Sequence, residues 1–347
     1  MQYRQLGRTD LRVSLICLGS MTWGRQNTEA EGHAQMDLAL ERGVNFIDTA
    51  EMYSVPVTAE TYGRSEEIIG SWLAARGTRD RVVVATKAVG PGERFGHIRD
   101  GKPRLNRAHL TRAVEDSLRR LRTDWIDLYQ LHWPERSVNS FGKLGYVHVE
   151  DEDTTPIAET LAVLGDLVKA GKIHHVGLSN ETPWGMMTFA RIADATGLPR
   201  PVSVQNAYNL VNRAFEVGCA EVAIREDIGL LAYSPLAGGW LTGKYDGGAR
   251  PAGARMTEFA DYFRRYSGET GQAAIAGYVA LAREHGLDPA QMALAYVNSR
   301  RFLTSNIIGA TSLEQLAADI DSVDVVLGPE VLQGIETLQA RWSNPCP

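Results

Sequence analysis

Two rhythms of apolar and polar positions alternate along the chain. Short runs rich in β-branched and apolar residues recur at 15–19 (LICLG), 44–48 (VNFID), 81–87 (RVVVATK), 125–132 (WIDLYQLH), 173–180 (IHHVGLSN), 201–207 (PVSVQNA), 229–235 (GLLAYSP) and 304–310 (TSNIIGA). Each reads as a buried strand. Longer segments with helical spacing separate them. Thr28 and Glu31 form a capping box ahead of residues 30–43, and Gly43 is the stop signal. Asn106 caps a helix whose Leu110, Val114, Leu118 and Leu121 share one face, and Pro156 starts another that ends at Gly171. Further helices start near Pro183, Phe215 and Leu313, and two more fill 269–299. Ahead of all this, residues 2–14 read as a hairpin turning at Gly7 to Asp10.

Strands that alternate with helices imply a parallel sheet, either doubly wound or closed into an eight-stranded barrel. A doubly wound nucleotide fold announces itself with G-x-G-x-x-G after an early strand, and that motif is missing, so the pattern favours a (β/α)8 barrel. No linker, repeat or low-complexity tract divides residues 1–347, which read as a single domain. Two stretches, 133–155 and 241–267, are expected to be long loops. Both follow strands on the C-terminal side, where barrel enzymes place their chemistry.

Composition narrows the class. A formal charge of −6 and a pI near 5.8 argue against a nucleic-acid surface. Three scattered cysteines, Cys17, Cys219 and Cys346, make neither a disulfide framework nor a metal site, which fits a reducing cytoplasm. The N-terminus is polar, and no apolar run approaches the roughly 18 residues of a membrane helix. A cytoplasmic protein without membrane or nucleic-acid partners is expected.

Four ionisable residues cluster at consecutive strand ends. Asp48 and Tyr53 lie in NFIDTAEMY, Lys87 ends VVVATK, and His132 follows LYQL. Each alone is explained by ordinary surface or packing roles, but neighbouring barrel strands would bring all four to one mouth. The set suits proton transfer to an oxygen. A free tyrosine is a weak acid near pKa 10, and a nearby ammonium would lower that value while Asp48 holds Lys87 charged. His132 could orient a carbonyl. A proton donor for a carbonyl oxygen needs hydride for the carbon, and a nicotinamide is its natural source.

The ordered set NFIDTAEMY, YGRSEEIIG, VATK, LYQLHWP, VGLSN, VQNAYN, LLAYSPLAGGWLTGKY and IIGATSLEQL resembles the aldo-keto reductase superfamily across nearly the whole chain. ERSVNSFGKLGY and RPAGARMTEFADYFRRYSGE look closest to its bacterial Tas-like, NADP(H)-dependent branch. The resemblance implies a (β/α)8 TIM barrel with an N-terminal β-hairpin plugging the barrel floor, and a catalytic tetrad of Asp48, Tyr53, Lys87 and His132 with Tyr53 as the acid. It implies NADPH at the mouth. Ser179, Asn180 and Gln205 would hold the carboxamide, Tyr233 would stack on the ring, and Ser234, Leu236, Gly238 and Lys244 would line the pyrophosphate loop. Gly19, Ser20, Met21 and Asp48 would touch the cofactor from the first two strands. Trp23 and Trp133 would line the substrate pocket. Gly309, Thr311, Gln315 and Asp319 would meet the adenosine end, with Lys244 and Arg255 as basic contacts to its phosphate. The chain departs from the common pattern there: Gln315 replaces an Arg, Ala318 a Glu and Asp319 an Asn.

Two other readings stay open. Lys87 could be a Schiff-base nucleophile of a lyase, although GLSN and AYSPL argue otherwise. Alternatively the chain could be a nucleotide-sensing binding module, as the potassium channel beta subunits that resemble it partly are. The loop 135–153 is expected to cover the substrate.

Overall fold

The first two strands, β1 (Tyr3–Gln5) and β2 (Arg12–Ser14), pair antiparallel in the register Tyr3 to Ser14 and Gln5 to Arg12. Leu6 N–H donates to Leu11 O across the turn, where Gly7 takes a φ of +56°. A Cβ on Gly7 would sit 2.7 Å from the Val202 carbonyl oxygen, so close approach as well as backbone sign requires glycine. This is a computed structural model, and it describes residues 1–347 apart from the side chain at position 94.

Eight parallel strands then close into a barrel. They are β3 (Ile16–Gly19), β4 (Phe46–Asp48), β5 (Val83–Ala88), β6 (Ile126–Leu131), β7 (Ile173–Ser179), β8 (Pro201–Ala207), β9 (Gly229–Tyr233) and β10 (Leu303–Ile308). Chain neighbours pair throughout, and β10 closes on β3. The interior is filled by Cys17, Phe46, Val83, Ala85, Leu128, Val202, Leu231 and Ile307, with Leu6 and Val13 of the hairpin inserted from below. The hairpin therefore plugs the floor. Arg4 fastens it, donating to the carbonyls of Leu303 (2.6 Å) and Asn298 (2.7 Å).

Helices cover the outside: α1 (Glu29–Glu41), α2 (Arg64–Arg76), α3 (Arg107–Leu121), α4 (Ile157–Lys169), α5 (Pro183–Thr196), α6 (Cys219–Arg225), α7 (Arg255–Glu258), α8 (Glu269–Glu284), α9 (Pro289–Asn298), α10 (Leu313–Asp321) and α11 (Pro329–Arg341). The capping box at Thr28 forms with both reciprocal bonds, and Asn106 accepts from His109 N–H. The sequence pattern gives no start signal for α2, whereas Pro329 at the first position marks the start of α11. Gly63 caps α2 in the left-handed conformation and Gly328 precedes α11, neither with a side-chain bond, while burial of Ile68, Ile69, Trp72 and Leu73 holds α2 in place. The expected loop 241–267 is less irregular than its composition suggests, because it holds a turn at Asp246–Gly248 and the short α7. Among the described residues no helix is long and apolar enough to cross a membrane.

The floor and the mouth are separable in this architecture. Truncating Leu6, which is fully buried in the floor, should destabilise the protein by about 2–5 kcal/mol in Leu6→Ala. Urea titration measures this.

Candidate active site

Strand geometry brings the four ionisable residues together. The parallel register sets Asp48 beside Gly19 and Ala85, and Lys87 beside Gln130. Lys87, with 0% of its side chain exposed, donates from Nζ to Asp48 Oδ2 and to the Thr49 carbonyl, both at 2.6 Å. Asp48 is satisfied from its other oxygen, which accepts from Gln205 Nε2 (2.8 Å) and Gln130 Nε2 (3.1 Å). Lys87 Nζ also lies 4.9 Å from the centroid of the Tyr53 ring, and that ring meets His132 edge-on at 5.8 Å.

The electrostatics correct one expectation. Burial pushes the Tyr53 phenol well above its ordinary range, and Asp48 pushes it further; neighbouring Tyr233 and Tyr262 add to this while Arg255 opposes it. The sequence reading expected Lys87 to lower it. The difference arises because burial is the largest effect on the phenol and the Asp48 carboxylate adds to it in the same direction. His132 is held well below the ordinary histidine range, first by burial and then by Lys87, and is a neutral imidazole near pH 7. Its Nδ1 is buried without a partner among the described residues. Lys87, enclosed and doubly bonded, is poorly placed as the Schiff-base nucleophile of a lyase.

A cavity of about 1600 Å³ opens above this cluster. Tyr53, Asp48 and His132 line one end, together with Met21, Trp133 and Phe141. Every predicted cofactor residue lines it too: Gly19, Ser20, Ser179, Asn180, Gln205, Tyr233, Ser234, Leu236, Gly238, Lys244, Arg255, Gly309, Thr311, Gln315 and Asp319. Trp23 does not. It is fully buried between α1 and α2 and donates from Nε1 to Gln35 Oε1 at 3.0 Å, so it is a core residue and its assignment to the substrate pocket is corrected. Several cofactor candidates bond one another: Tyr233 OH donates to Asn180 Oδ1 (2.7 Å), Asn180 Nδ2 to the His132 carbonyl (2.8 Å), and Ser179 Oγ to the Gln205 carbonyl (2.8 Å). Gln315 Oε1 accepts from the Thr311 backbone N–H and hydroxyl, both at 3.0 Å.

Two basic side chains, Lys244 and Arg255, line the cavity near Gly309 and Asp319. Among the described residues Lys244 and Arg255 form no ion pair. Burial lowers the pKa of each, so an anion would favour both. Asp319 is pushed up to about 7, mainly by burial; Asp288 adds to this and Lys244 opposes it. Volume, basic side chains and mutually held amides fit a phosphate-bearing dinucleotide.

Sequence reasoning missed two parts of this arrangement. Gln130 shares its strand face with His132, so the two-residue period of β6 could have identified it. Glu51, fully buried, is paired to Arg99 and accepts from Val89 N–H at 2.5 Å, which pins the loop after β5. Nothing in residue spacing points to a partner 48 positions away. The expected substrate loop is anchored at its base, where Glu135 accepts from Arg104 and Thr155, and Phe141 at its tip reaches the cavity.

The ionisable residues at the C-terminal mouth and a long cleft lined in part by Lys244, Arg255 and Arg265 fit a barrel enzyme that binds an anionic ligand. The aldo/keto reductase family model matches residues 15–340. "Protein tas" of Escherichia coli is 48% identical over 347 residues, all of both chains. The "Uncharacterized oxidoreductase YrpG" of Bacillus subtilis is 34% identical, covering 96% of this chain and 94% of its own. The "Probable voltage-gated potassium channel subunit beta" of Arabidopsis thaliana is 30% identical over 99% of each. The chain belongs to the aldo/keto reductase family. It is an oxidoreductase of the kind that works with a nicotinamide cofactor on small carbonyl compounds.

The buried pair also makes a stability prediction. Lys87→Met strands a buried carboxylate and should cost about 3–5 kcal/mol in denaturant unfolding. The double variant Asp48→Asn/Lys87→Met should recover a substantial part of that loss. Equal losses in the single and double variants would show that the pair is not coupled.

Proposed function

We propose that this protein reduces aldehydes and ketones to alcohols with NADPH, and that Tyr53 delivers the proton. The observation that carries the reading is the contact set at the mouth, where Tyr53 and His132 face one cavity over the Lys87–Asp48 pair. NADPH, when bound, supplies the hydride that reaches the carbonyl carbon. The Tyr53 hydroxyl hands its proton to the carbonyl oxygen, and the high pKa of that phenol keeps the proton in place until negative charge develops on the oxygen. His132, neutral, orients the same oxygen through an N–H. Lys87 and Asp48 act behind Tyr53 as positioning residues, and Asp48 reinforces the high pKa of the phenol.

Ser179, Asn180 and Gln205 would fix the carboxamide, and Tyr233 would support the nicotinamide ring. Ser234, Leu236 and Gly238 would follow the pyrophosphate, where Ser234 and Gly238 already hold φ values of +55° and +69°. Lys244 and Arg255 would neutralise phosphate charge, with Gly19, Ser20, Met21, Gly309, Thr311, Gln315 and Asp319 completing the walls. Trp133 and the loop at 135–153 would face the substrate. A nucleotide-sensing module without useful turnover is the competing reading, since the chain is also similar to a probable voltage-gated potassium channel subunit beta.

Tyr53→Phe separates the two. It retains the ring and its packing but loses the transferable proton, so aldehyde reduction should fall by about 10² to 10⁴-fold. NADPH binding, followed by fluorescence quenching, should persist. A variant that binds NADPH and reduces aldehydes at nearly the parent rate would sink the mechanism; a parent that binds NADPH but reduces no carbonyl would support sensing.

Cofactor preference should depend on pH through Asp319. Below its pKa of about 7 this carboxyl is neutral; above it, a negative charge faces the proposed phosphate end beside Lys244 and Asp288. Between pH 6 and 8 the Kd for NADPH should therefore rise by about threefold or more, a change of ~0.7 kcal/mol. NADH, lacking the extra phosphate, should respond less. Asp319→Asn should flatten the NADPH curve, and an unchanged slope in that variant would remove Asp319 from the explanation.

A further inference from the structure

Three basic side chains that line the cavity, Lys244, Arg255 and Arg265, lack ion-pair partners among the described residues. Lys244 and Arg255 sense each other and flank Gly309 and Asp319, where the cofactor phosphates are proposed to lie. A third cation, Arg265, sits elsewhere. Its Nη1 donates to Tyr233 OH at 3.4 Å, Tyr266 offers a second phenol oxygen, and its guanidinium stands 5.9 Å from the Phe141 ring centroid. Two contact chains run from there to His132. One passes through Tyr233 and Asn180 to the His132 carbonyl. The other passes from Phe141 to Trp133 at 6.1 Å, and from Trp133 to His132 at 4.9 Å. Arg265 is therefore part of the wall around the reacting end.

Its surroundings leave the charge unanswered. Among the described residues Arg265 forms no ion pair, although the adjacent Arg264 is paired with Asp261. Two neutral phenols and a phenyl face engage only part of a planar fork with five N–H donors. That fork matches a carboxylate in geometry and charge. We infer that Arg265 recognises a carboxylate on the substrate, so that the preferred substrates are aldehydes or ketones carrying an acid group. The inference rests on the carbonyl-reductase reading. It adds the chemical class of the compound and a residue that selects it.

The test compares acids with neutral analogues of similar size: 4-carboxybenzaldehyde and succinic semialdehyde, each beside its methyl ester. With NADPH the parent enzyme should show kcat/KM for each acid roughly tenfold or more above its ester, as a charge-assisted pair predicts. Arg265→Met should abolish that advantage while leaving the ester rates and the NADPH Kd within about twofold, and Arg265→Lys should restore part of it. Equal treatment of acid and ester by the parent enzyme would overturn the inference, as would an Arg265→Met variant in which both fall alike, the mark of a merely structural clamp on Tyr233. The parent comparison stands even if the variant does not fold. Benzoate binding to the enzyme–NADP⁺ complex provides a readout without turnover. Saturable binding that is lost in Arg265→Met supports the carboxylate site even if no aldehyde is reduced, in which case the reductase reading alone fails; absence of binding in the parent removes the site.

Discussion

The ion pair between Lys87 and Asp48 is the constraint on which the rest of the mouth depends. Two opposite charges are enclosed at the ends of adjacent strands, and neither is tolerable there without the other. Their remaining capacity is met by Thr49, Gln130 and Gln205, which ties β4 to β5, β6 and β8 across the barrel interior. This network fills the layer above the apolar barrel core. It also holds the floor of the cavity rigid, because moving any one strand end would leave a buried charge or amide unsatisfied. The Tyr53 ring rests against this platform.

The pair acts on its two neighbours in different ways: Asp48 raises the Tyr53 phenol and Lys87 lowers the His132 imidazole, each second to burial. The phenol of Tyr53 stays protonated, and the imidazole of His132 stays neutral, both chiefly through burial. A donor of this kind gives up its proton only when an adjacent oxygen becomes basic, which suits the proposed coupling to hydride arrival. Charge is concentrated instead along the cavity walls. Lys244, Arg255 and Arg265 all lack ion-pair partners among the described residues, and ligand anions are their natural counter-charges. The Glu51–Arg99 pair, by contrast, is internally complete and serves to fix the loop that follows β5.

Much of the fold was legible because barrel strands are short apolar runs and most helices begin with a capping residue or proline. Where the cap is a glycine and no proline follows, as in α2, that signal is absent and tertiary burial decides. The cluster of Asp48, Tyr53, Lys87 and His132 could be read from strand-end position alone. Their electrostatics could not, since the sign of the effect on Tyr53 depends on burial, with Asp48 adding to it. Trp23 shows the same limit. Its position just beyond the first barrel strand suggested the pocket, but a partner at Gln35 turns its indole into the core. Arg265 lies in a segment whose spacing carries no periodicity, and only the folded loop brings it beside Tyr233.

The central claim is that the Lys87–Asp48 pair leaves Tyr53 as a phenol poised to give its proton. It is tested most directly by a ¹³Cζ tyrosine NMR titration of the free protein, with the Tyr53 resonance assigned by its loss in Tyr53→Phe. The account predicts that Tyr53 remains protonated beyond the ordinary tyrosine value of about 10. A Tyr53 resonance that titrates well below that value would show that the Lys87 ammonium dominates the site, and would contradict the account.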